Sequence, residues 1–295
     1  MRELFGKHDV DESLYNIFNV RIEDFQTDKK YDIIIAESFL QYLKNQQEVI
    51  DKLKQLSGDN GIIVITCGDD VSIFVELMKR LIGQIIIKDT DDYNQKVQRL
   101  VDVFGASLGM LRGVSRSVRD WVQDQLLNPA LVNGCELTLI QAIEIFGDDY
   151  EVLGSSPGMF TDYSWYKDIW FDYKSDYAAQ YRVKQFSLLK AGMPEVILPP
   201  MLSDELIRAF KSVKALASEF ERMKDATILD RILIELNYIC SRAKSIGNEF
   251  DIICREIYQS LKDLSETDTV ELGKYQHFFA AFGRTQHYMA FQRAN

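Results

Sequence analysis

The sequence predicts an α/β fold built on a parallel sheet with large helical insertions. The first observation is the run YDIIIAESFLQYL at 31–43, where apolar β-branched residues follow one another without polar alternation. Such a run is typical of a parallel strand covered on both faces. The second observation is GDNGIIVIT at 58–66, a similar run that begins one helix length later.

The third observation is the segment that joins these two runs. Its apolar residues recur at helical spacing and end just before Gly58, and they are Val49, Ile50, Leu53 and Leu56. A glycine after a periodic run commonly ends a helix. The three segments therefore predict a β-α-β unit, whose crossover is expected to be right-handed.

The composition indicates an ordered globular chain with enough length for a large core. It has 295 residues, of which 46% are hydrophobic and five are prolines. This length could hold one large domain or two ordinary ones. The net charge of −11 repels phosphate backbones and anionic lipid. Nucleic acid and membrane are therefore disfavoured as main partners, although a local basic patch could override this.

The cysteine usage predicts a reducing cytoplasm. We recognise no signal peptide and no apolar run approaching the roughly 20 residues that a membrane span needs. No CxxC pair occurs and no histidine lies near a cysteine in sequence, the cysteines being Cys67, Cys135, Cys240 and Cys254. We therefore expect no zinc site, and cysteines that act as small buried hydrophobes.

The remaining elements are mostly helical. Two weak strand candidates, RELFG at 2–6 and NVRIEDF at 19–25, precede the β-α-β unit, and an apolar run at 85–88 is of undecided type. Helices are predicted at 71–82, 93–104, 115–127 with Ser115 as N-cap, 136–146, 176–190, 203–222, 225–243 and 245–263. Further strands are predicted at 150–157 and within HYMAFQR at 287–293, and 191–200 reads as a linker.

In order and spacing, these elements resemble the class I S-adenosylmethionine-dependent methyltransferases. YDIIIAESFLQYL resembles the family's fourth strand and the loop after it, and VIDKLKQL with GDNGIIVIT resembles the next helix and the fifth strand. TLIQAIEIFGDDYEVL resembles the helix before the sixth strand together with that strand. FGRTQHYMAFQR resembles the seventh, antiparallel strand that closes the sheet.

The resemblance implies a Rossmann-like methyltransferase sheet, incomplete at its N-terminus, with helical insertions. Residues 1–69 would form the first part of this core, 70–134 a helical insertion, and 135–157 a core helix and strand. Residues 158–273 would form an aromatic-rich helical insertion that serves as a substrate lid or a partner surface. Residues 274–295 would carry the final core strand.

The resemblance also implies S-adenosylmethionine as cofactor and suggests acidic residues that bind it. VRIEDF resembles the third strand, so Glu23 or Asp24 would meet the adenine amino group. A carboxylate can accept a hydrogen bond from this amino group. GKHDVDESL resembles the end of the second strand, which would bring Asp9 or Asp11 to the ribose hydroxyls.

Two further residues follow the strand at 31–36. The resemblance implies that Glu37, with Ser38 and Phe39, lies beside the cofactor's methionine end and the methyl acceptor, and the carboxyl ends of strands are where open α/β sheets bind ligands. The family's glycine-rich first loop has no counterpart upstream of Asp9, and GASLGMLRG at 105–113 lacks a preceding strand. The sequence is then either a piece of a longer gene product or a degenerate member that binds the cofactor poorly.

Two groups of residues could hold the acceptor. Arg112, Arg116 and Arg119 recur at helical spacing and would form either a cationic face for a phosphorylated or carboxylated substrate, or a solvated face. The aromatic segment 158–173 would stack on a planar acceptor, hold a methylated cation, or pack as core. Its candidate acceptor residues are Tyr163, Trp165 and Tyr166.

Other catalytic chemistry finds little support in the sequence. His277 and His287 lie near the last strand, where a general base is conceivable and a hydrogen-bonded structural histidine is the favoured interpretation. No GxSxG, HExxH, P-loop or EF-hand motif occurs, so we expect no metal, and the catalytic residues stay unassigned.

The first functional hypothesis is methyl transfer from S-adenosylmethionine to an unidentified acceptor, a small molecule rather than a protein. An activated sulfonium leaving group makes positioning and exclusion of water the main requirements. The alternative is a non-catalytic scaffold whose long helices at 203–263 bind a protein partner or a second copy of the chain as a homodimer. The absent glycine loop favours the alternative, and the acidic segments favour the first hypothesis.

Overall fold

A four-stranded mixed sheet forms one part of the molecule. The computed structural model describes residues 2–111, 113–129, 137–160, 177–267 and 271–294. The strands are β1 (Tyr31–Ala36), β2 (Ser57–Cys67), β3 (Tyr150–Ser156) and β4 (His287–Arg293). They lie in the order β1-β2-β4-β3, with β1 parallel to β2 and with β4 antiparallel to both β2 and β3. The predicted antiparallel last strand is therefore confirmed.

Helices make up the rest of the described chain. They are α1 (Arg2–Lys7), α2 (Gln46–Leu56), α3 (Phe74–Ile86), α4 (Tyr93–Gly109), α5 (Val118–Trp121), α6 (Leu139–Phe146), α7 (Tyr177–Lys184), α8 (Pro200–Met223), α9 (Ala226–Ile246), α10 (Asn248–Thr267) and α11 (Gln276–Ala280). A π-helical turn at Val122–Leu127 continues α5, and 3₁₀ turns lie at Glu12–Leu14, Leu40–Tyr42, Gln185–Leu188 and Leu272–Lys274.

The predicted β-α-β unit is present as β1, α2 and β2. Ile33 pairs with Ile62 and Ile35 with Val64 in the parallel register. The helix ends at Leu56, where the backbone N–H of Ser57 still donates to the carbonyl of Leu53. Leu53 and the other apolar residues of α2 are buried, as their spacing predicts.

The predicted burial of β1 on both faces is wrong. Ile33 is 62% exposed and Ile35 is 65% exposed. Ile34 and Ala36 instead belong to the hydrophobic cluster that includes the apolar side of α2. Because successive side chains of a strand point to opposite faces, β1 is covered on one face only, as an edge strand can be.

The sheet packs on α2 and α6 through one hydrophobic cluster. Ile63 and Ile65 of β2 and Met289 of β4 are buried in it. The rings of Phe146 and Phe291 stack at 3.8 Å between centroids with an interplanar angle of 4°. These contacts fix α6 against β4, the last strand.

The two predicted N-terminal strands are wrong. Residues 2–7 form the helix α1, and 21–24 form a turn in which Asp24 N–H donates to the carbonyl of Arg21. A short strand is stable only when a neighbouring strand satisfies its backbone groups. Among the described residues, no segment pairs with the outer edge of β1, so neither N-terminal candidate joins the sheet.

The other helices share a second hydrophobic cluster. Every residue from Phe74 to Ile85 in α3 is buried, so this helix is surrounded on all sides. The cluster joins α3 and α4 to α8, α9 and α10, and extends to Phe278 and Phe282 before β4. Residues from both predicted insertions and from the segment assigned to the final strand therefore make one helical body.

Several helix boundaries differ from the prediction. The undecided run at 85–88 is the end of α3, because this helix begins at Phe74 and runs to Ile86. The N-cap of α5 is Ser117, whose Oγ accepts from Asp120 N–H, and Ser115 lies before it. Gly147 ends α6 with a φ of 65°, a conformation that glycine adopts without strain. Within the described ranges, we find no helix with both the length and the apolar character needed to span a membrane.

Candidate functional site

A group of polar side chains lies at the carboxyl edge of β1 and β2, and we call it the edge cluster. Its members are Glu37, Ser38, Gln41, Thr66, Gln286 and Tyr288. Thr66 is the central group, since its Oγ1 accepts from Ser38 N–H at 2.6 Å and donates to Gln41 Oε1 at 3.1 Å. Gln286 Nε2 donates to Ser38 Oγ at 2.9 Å, which connects the start of β4 to the loop after β1.

Ser38 holds an uncommon backbone conformation in this cluster. Its φ is 60°, in the left-handed region that residues other than glycine rarely adopt. The bond from its N–H to Thr66 offsets part of that cost. The loop after β1 is thus held in a defined shape, with Glu37 and Ser38 exposed.

Glu37 meets the last strand through Tyr288. The Tyr288 hydroxyl donates to Glu37 Oε1 at 2.5 Å. This hydrogen bond to a carboxylate raises the pKa of Tyr288, with burial as a smaller cause. The predicted site residues Glu37 and Ser38 therefore lie together at the carboxyl edge, where an exposed carboxylate can pair with a ligand's ammonium or hydroxyl group.

The other predicted cofactor residues do not end strands. Asp9 lies in a turn with a φ of 51°, and Asp11 caps the 3₁₀ turn at Glu12–Leu14 by accepting from Ser13 N–H at 2.8 Å. Both are exposed, as is Asp24 in its turn. The strand positions that the resemblance implies for these three residues are therefore wrong, although their binding role stays a prediction.

Glu23 is held in place by hydrogen bonds near the start of α2. Its Oε1 accepts from Asn45 Nδ2 at 2.9 Å and from Arg21 Nη2 at 2.8 Å. The bond from Asn45, then that from the backbone, then that from Arg21 lower the pKa of Glu23 to about 2. Asn45 ends the connection that Glu37 begins, so Glu23 and Glu37 flank the same loop.

A cleft of 770 Å³ opens beside the end of β2, and we call it the main cleft. It is bounded by the loop at 69–71, by α6, by α7 with the 3₁₀ turn after it, and by one face of α8. A volume of this size matches the pockets that bind small molecules. It is larger than the cavity of 570 Å³ beside Glu23 and the start of α2.

Asp69 and Asp70 follow β2 closely in the chain and line the main cleft. Asp69 is 5% exposed, and its Oδ1 accepts from the backbone N–H groups of Val71 at 2.9 Å and Ser72 at 2.6 Å. The Tyr181 hydroxyl of α7 donates to its other oxygen. Asp70 accepts from Lys214 Nζ of α8 at 2.7 Å. The two carboxylates therefore fasten α7 and α8 to the end of β2.

The arginines predicted to bind substrate lie elsewhere. Arg116 forms an ion pair with Asp124, and Arg119 donates to Asn94 Oδ1 at 3.3 Å. Neither lines the main cleft, and Arg112 lies outside the described residues. Tyr163, Trp165 and Tyr166 also lie outside them. The acceptor role of the aromatic segment therefore stays a prediction.

The two candidate histidines occupy different surroundings. His277 is exposed, and its Nδ1 lies 2.8 Å from Glu256 Oε1. His287 is fully buried at the start of β4, and its Nε2 lies 2.6 Å from the carbonyl oxygen of Arg284. Its Nδ1 has no hydrogen-bond partner among the described residues. Burial lowers the pKa of His287 to about 4, which suits the structural role that the sequence favours.

The buried His287 should make folding stability depend on pH between about 6.5 and 4. The unfolded chain binds a proton at His287 in this window and the folded chain does not, so stability is complete above 6.5 and falls as the pH drops. The expected total is about 3 kcal/mol at 1.36 kcal/mol per pKa unit. Urea unfolding at several pH values should show a smaller slope for His287→Gln than for the wild type.

Carboxylates also titrate in acid, so the comparison needs a control. His8→Gln is the control, because His8 is an exposed histidine in the N-terminal turn and its substitution removes the same side chain at the surface. It should leave the wild-type slope unchanged over the same pH range. An identical slope in the wild type and His287→Gln would contradict the prediction.

The described chain offers no cluster of metal ligands, and its cysteines differ in burial. No group of three or more metal-ligating side chains occurs among the described residues. Cys67 and Cys254 are buried, as predicted, whereas Cys240 is half-buried. Burial raises the pKa of the Cys67 thiol above its usual range, so it is a poor nucleophile. Cys135 lies outside the described residues.

The sequence-based predictions do not include several residues of the site. Thr66 is a polar residue at the carboxyl end of a buried strand, and that pattern alone could have identified it. Arg208, Lys211 and Lys214 recur at helical spacing in α8, which is a detectable pattern. Their position across the main cleft from Arg182 depends on how α7 and α8 pack, so the sequence does not reveal it.

Comparisons with protein-family models, curated proteins and solved structures found no match to this chain. The candidate function therefore depends on the geometry of the edge cluster and the main cleft.

Proposed function

We propose that this chain takes part in S-adenosylmethionine-dependent methyl transfer to a small molecule, with the edge cluster at the cofactor's methionine end and the acceptor in the main cleft. The observation that carries the proposal is the strand order. β4 is the antiparallel strand and lies between β2 and β3. The seventh strand of the class I methyltransferase sheet, which the C-terminal sequence resembles, takes this position.

The position of the two sites supports the same proposal. The edge cluster includes Thr66 near the end of β2, and the main cleft begins at Asp69, three residues further along the chain. Ligands of open α/β sheets bind outside the carboxyl ends of the strands. A cofactor at the edge cluster and an acceptor in the cleft would therefore be neighbours on one edge of the sheet.

The described residues fit only the methionine end of the cofactor. Glu37 offers an exposed carboxylate to an ammonium group, and the loop that carries it is fixed through Ser38. The adenosine end would need a glycine-rich loop between a strand and a helix. The described part of the first 30 residues holds no strand and no such loop.

Titration of S-adenosylmethionine into the purified chain tests the proposal. We expect weak, saturable binding in the millimolar range, because the contacts to adenosine are missing, and NMR chemical shifts can follow it. Glu37→Gln should weaken this binding at least about fivefold by removing the charge that faces the ammonium group.

Asp59→Asn is the matched control, since Asp59 is fully exposed at the amino end of β2 and its substitution changes the net charge equally. It should leave the affinity unchanged. A folded chain that binds no S-adenosylmethionine, or one that loses affinity equally in both variants, would overturn the proposal.

The second candidate function is a non-catalytic scaffold that binds a protein partner or a second copy of the chain. The observation that favours it is that the described part of the first 30 residues holds no glycine-rich loop for the adenosine end of the cofactor. The long helices α8, α9 and α10 bury their apolar sides in the molecule's own helical core. Their exposed apolar side chains, such as Met201 and Ile234, are scattered singly, which is normal for a monomer's surface.

A further inference from the structure

Cationic side chains gather in the main cleft although the protein is acidic. Arg182 of α7 and Arg208, Lys211 and Lys214 of α8 all line it. The chain as a whole carries a net charge of −11. The lining also carries four carboxylates, those of Asp69, Asp70, Glu144 and Asp204, so the four cations balance its charge while the chain as a whole is acidic.

Two of these cations have no partner of their own. Lys214 is bound to Asp70, and Lys211 lies 3.5 Å from the other oxygen of Asp70 with its side chain 59% exposed. Arg182 and Arg208 form no ion pair with any described residue and are exposed to the cleft's solvent. Their guanidinium groups keep all their donors for a ligand, in the planar arrangement that suits oxyanions.

Two of the four carboxylates that line the cleft have partners within the protein. Asp69 accepts three hydrogen bonds, from Tyr181 and from two backbone N–H groups, and Asp70 is paired with Lys214. Glu144 and Asp204 are the exposed carboxylates that remain on the lining. They would accept hydrogen bonds from the hydroxyl or amino groups of a ligand whose anionic group lies at the arginines.

We propose that the main cleft binds a phosphorylated small molecule, with the phosphate held by Arg182, Arg208 and Lys211 and its hydroxyl or amino groups facing Glu144 and Asp204. Three cations suit a dianionic phosphate, whereas a single carboxylate would be satisfied by one arginine. The naming of this ligand as the methyl acceptor rests on the proposed function. The phosphate site itself does not.

Inorganic phosphate is the probe for the first test. We expect saturable binding to the full chain in the millimolar range, followed by NMR or calorimetry at constant ionic strength. The triple variant Arg182→Ala, Arg208→Ala, Lys211→Ala should bind phosphate at least about tenfold more weakly, because hydrogen bonds to charged groups are lost. Acetate should bind more weakly than phosphate to the wild type.

A matched triple variant, Arg231→Ala, Arg255→Ala, Lys274→Ala, removes the same charge outside the cleft, where all three side chains are mostly exposed. It should keep the wild-type phosphate affinity. The double variant Glu144→Gln, Asp204→Asn should bind inorganic phosphate more tightly, since it removes two negative charges that repel the phosphate. A purely structural role of these two residues would not produce tighter binding. Circular dichroism checks that each variant is folded.

Three results would overturn the inference: no saturable phosphate binding, equal losses in both triple variants, or unchanged affinity in the double variant. The outcome is separable from the proposed function. Phosphate binding without S-adenosylmethionine binding would support the phosphate site and reject methyl transfer. S-adenosylmethionine binding without phosphate binding would support the proposed function and reject the phosphate site.

Discussion

Replacing Gly283 by alanine should destabilise the protein by about 3 kcal/mol, at the upper end of the usual cost of overpacking. A Cβ at this position would lie 2.1 Å from the carbonyl oxygen of Ser72 and 2.9 Å from Glu76 Oε2. The nearest obstacle is backbone, which cannot rotate away, so the segment before β4 would have to move away from Ser72, in the turn before α3. Urea unfolding followed by circular dichroism measures the loss.

Gly273→Ala is the matched control for this prediction. A Cβ at Gly273 would meet no atom within 4 Å. Its effect should stay within about 0.5 kcal/mol, as for most surface substitutions. If Gly283→Ala were as stable as Gly273→Ala, the close packing of the 281–283 segment against α3 would be refuted.

Replacing Lys79 by methionine should cost about 3–5 kcal/mol, the typical price of breaking a buried charge pair. Lys79 Nζ donates to Ser107 Oγ at 2.9 Å, to the carbonyl of Phe279 at 3.1 Å and to that of Ala281 at 2.7 Å. It also lies 3.5 Å from the centroid of the Phe282 ring. A methionine fills similar volume but leaves these acceptors unsatisfied.

The same substitution leaves Glu76 as a buried acid without its cation. Glu76 Oε1 accepts from Gly283 N–H at 2.8 Å, and its Oε2 has no hydrogen-bond partner among the described residues. Burial raises the pKa of Glu76, and attraction to Lys79 opposes that rise. A folded-state pKa above the unfolded value means that stability falls as the pH rises through this range. The loss in Lys79→Met should therefore be larger at pH 8 than at pH 5.

Two further variants make this prediction specific. Lys79→Met combined with Glu76→Gln should recover at least about 1 kcal/mol relative to Lys79→Met alone, because neighbouring groups of one network couple. Lys274→Met, at an exposed lysine, should change stability by less than about 0.5 kcal/mol. A loss for Lys79→Met that is independent of pH and not recovered in the double variant would show that Lys79 acts through packing alone.

The fold was predictable where the signal is local. The β-α-β unit, β3, β4 and the long helices follow from apolar periodicity and from glycine or proline at their ends, and these signals need no knowledge of distant residues. The absence of strands from the described residues before Tyr31 could not be predicted from local signals. A segment such as 19–25 has strand-like composition, yet a strand forms only where another strand's edge accepts it.

The candidate site divides in the same way. Glu37 and Ser38 could be located from the sequence because a loop directly after a buried strand lies at the ligand-binding edge of a sheet. Tyr288 and Gln286 could not, since they reach that edge only because β4 inserts beside β2, more than two hundred residues away in the chain. The same holds for Arg182, which meets Arg208 and Lys211 only across the main cleft.

The sequence by itself determined that the β-α-β unit, β3, β4 and the long helices form, and that the chain is acidic. These properties depend on side-chain spacing and composition, which are written into the chain. Only the tertiary structure decided that Ile33 and Ile35 lie exposed on an edge strand, that Lys79 and Glu76 are buried beside Gly283, and that cations line the main cleft. Exposure and charge pairing depend on which distant elements pack together, and no local pattern encodes that.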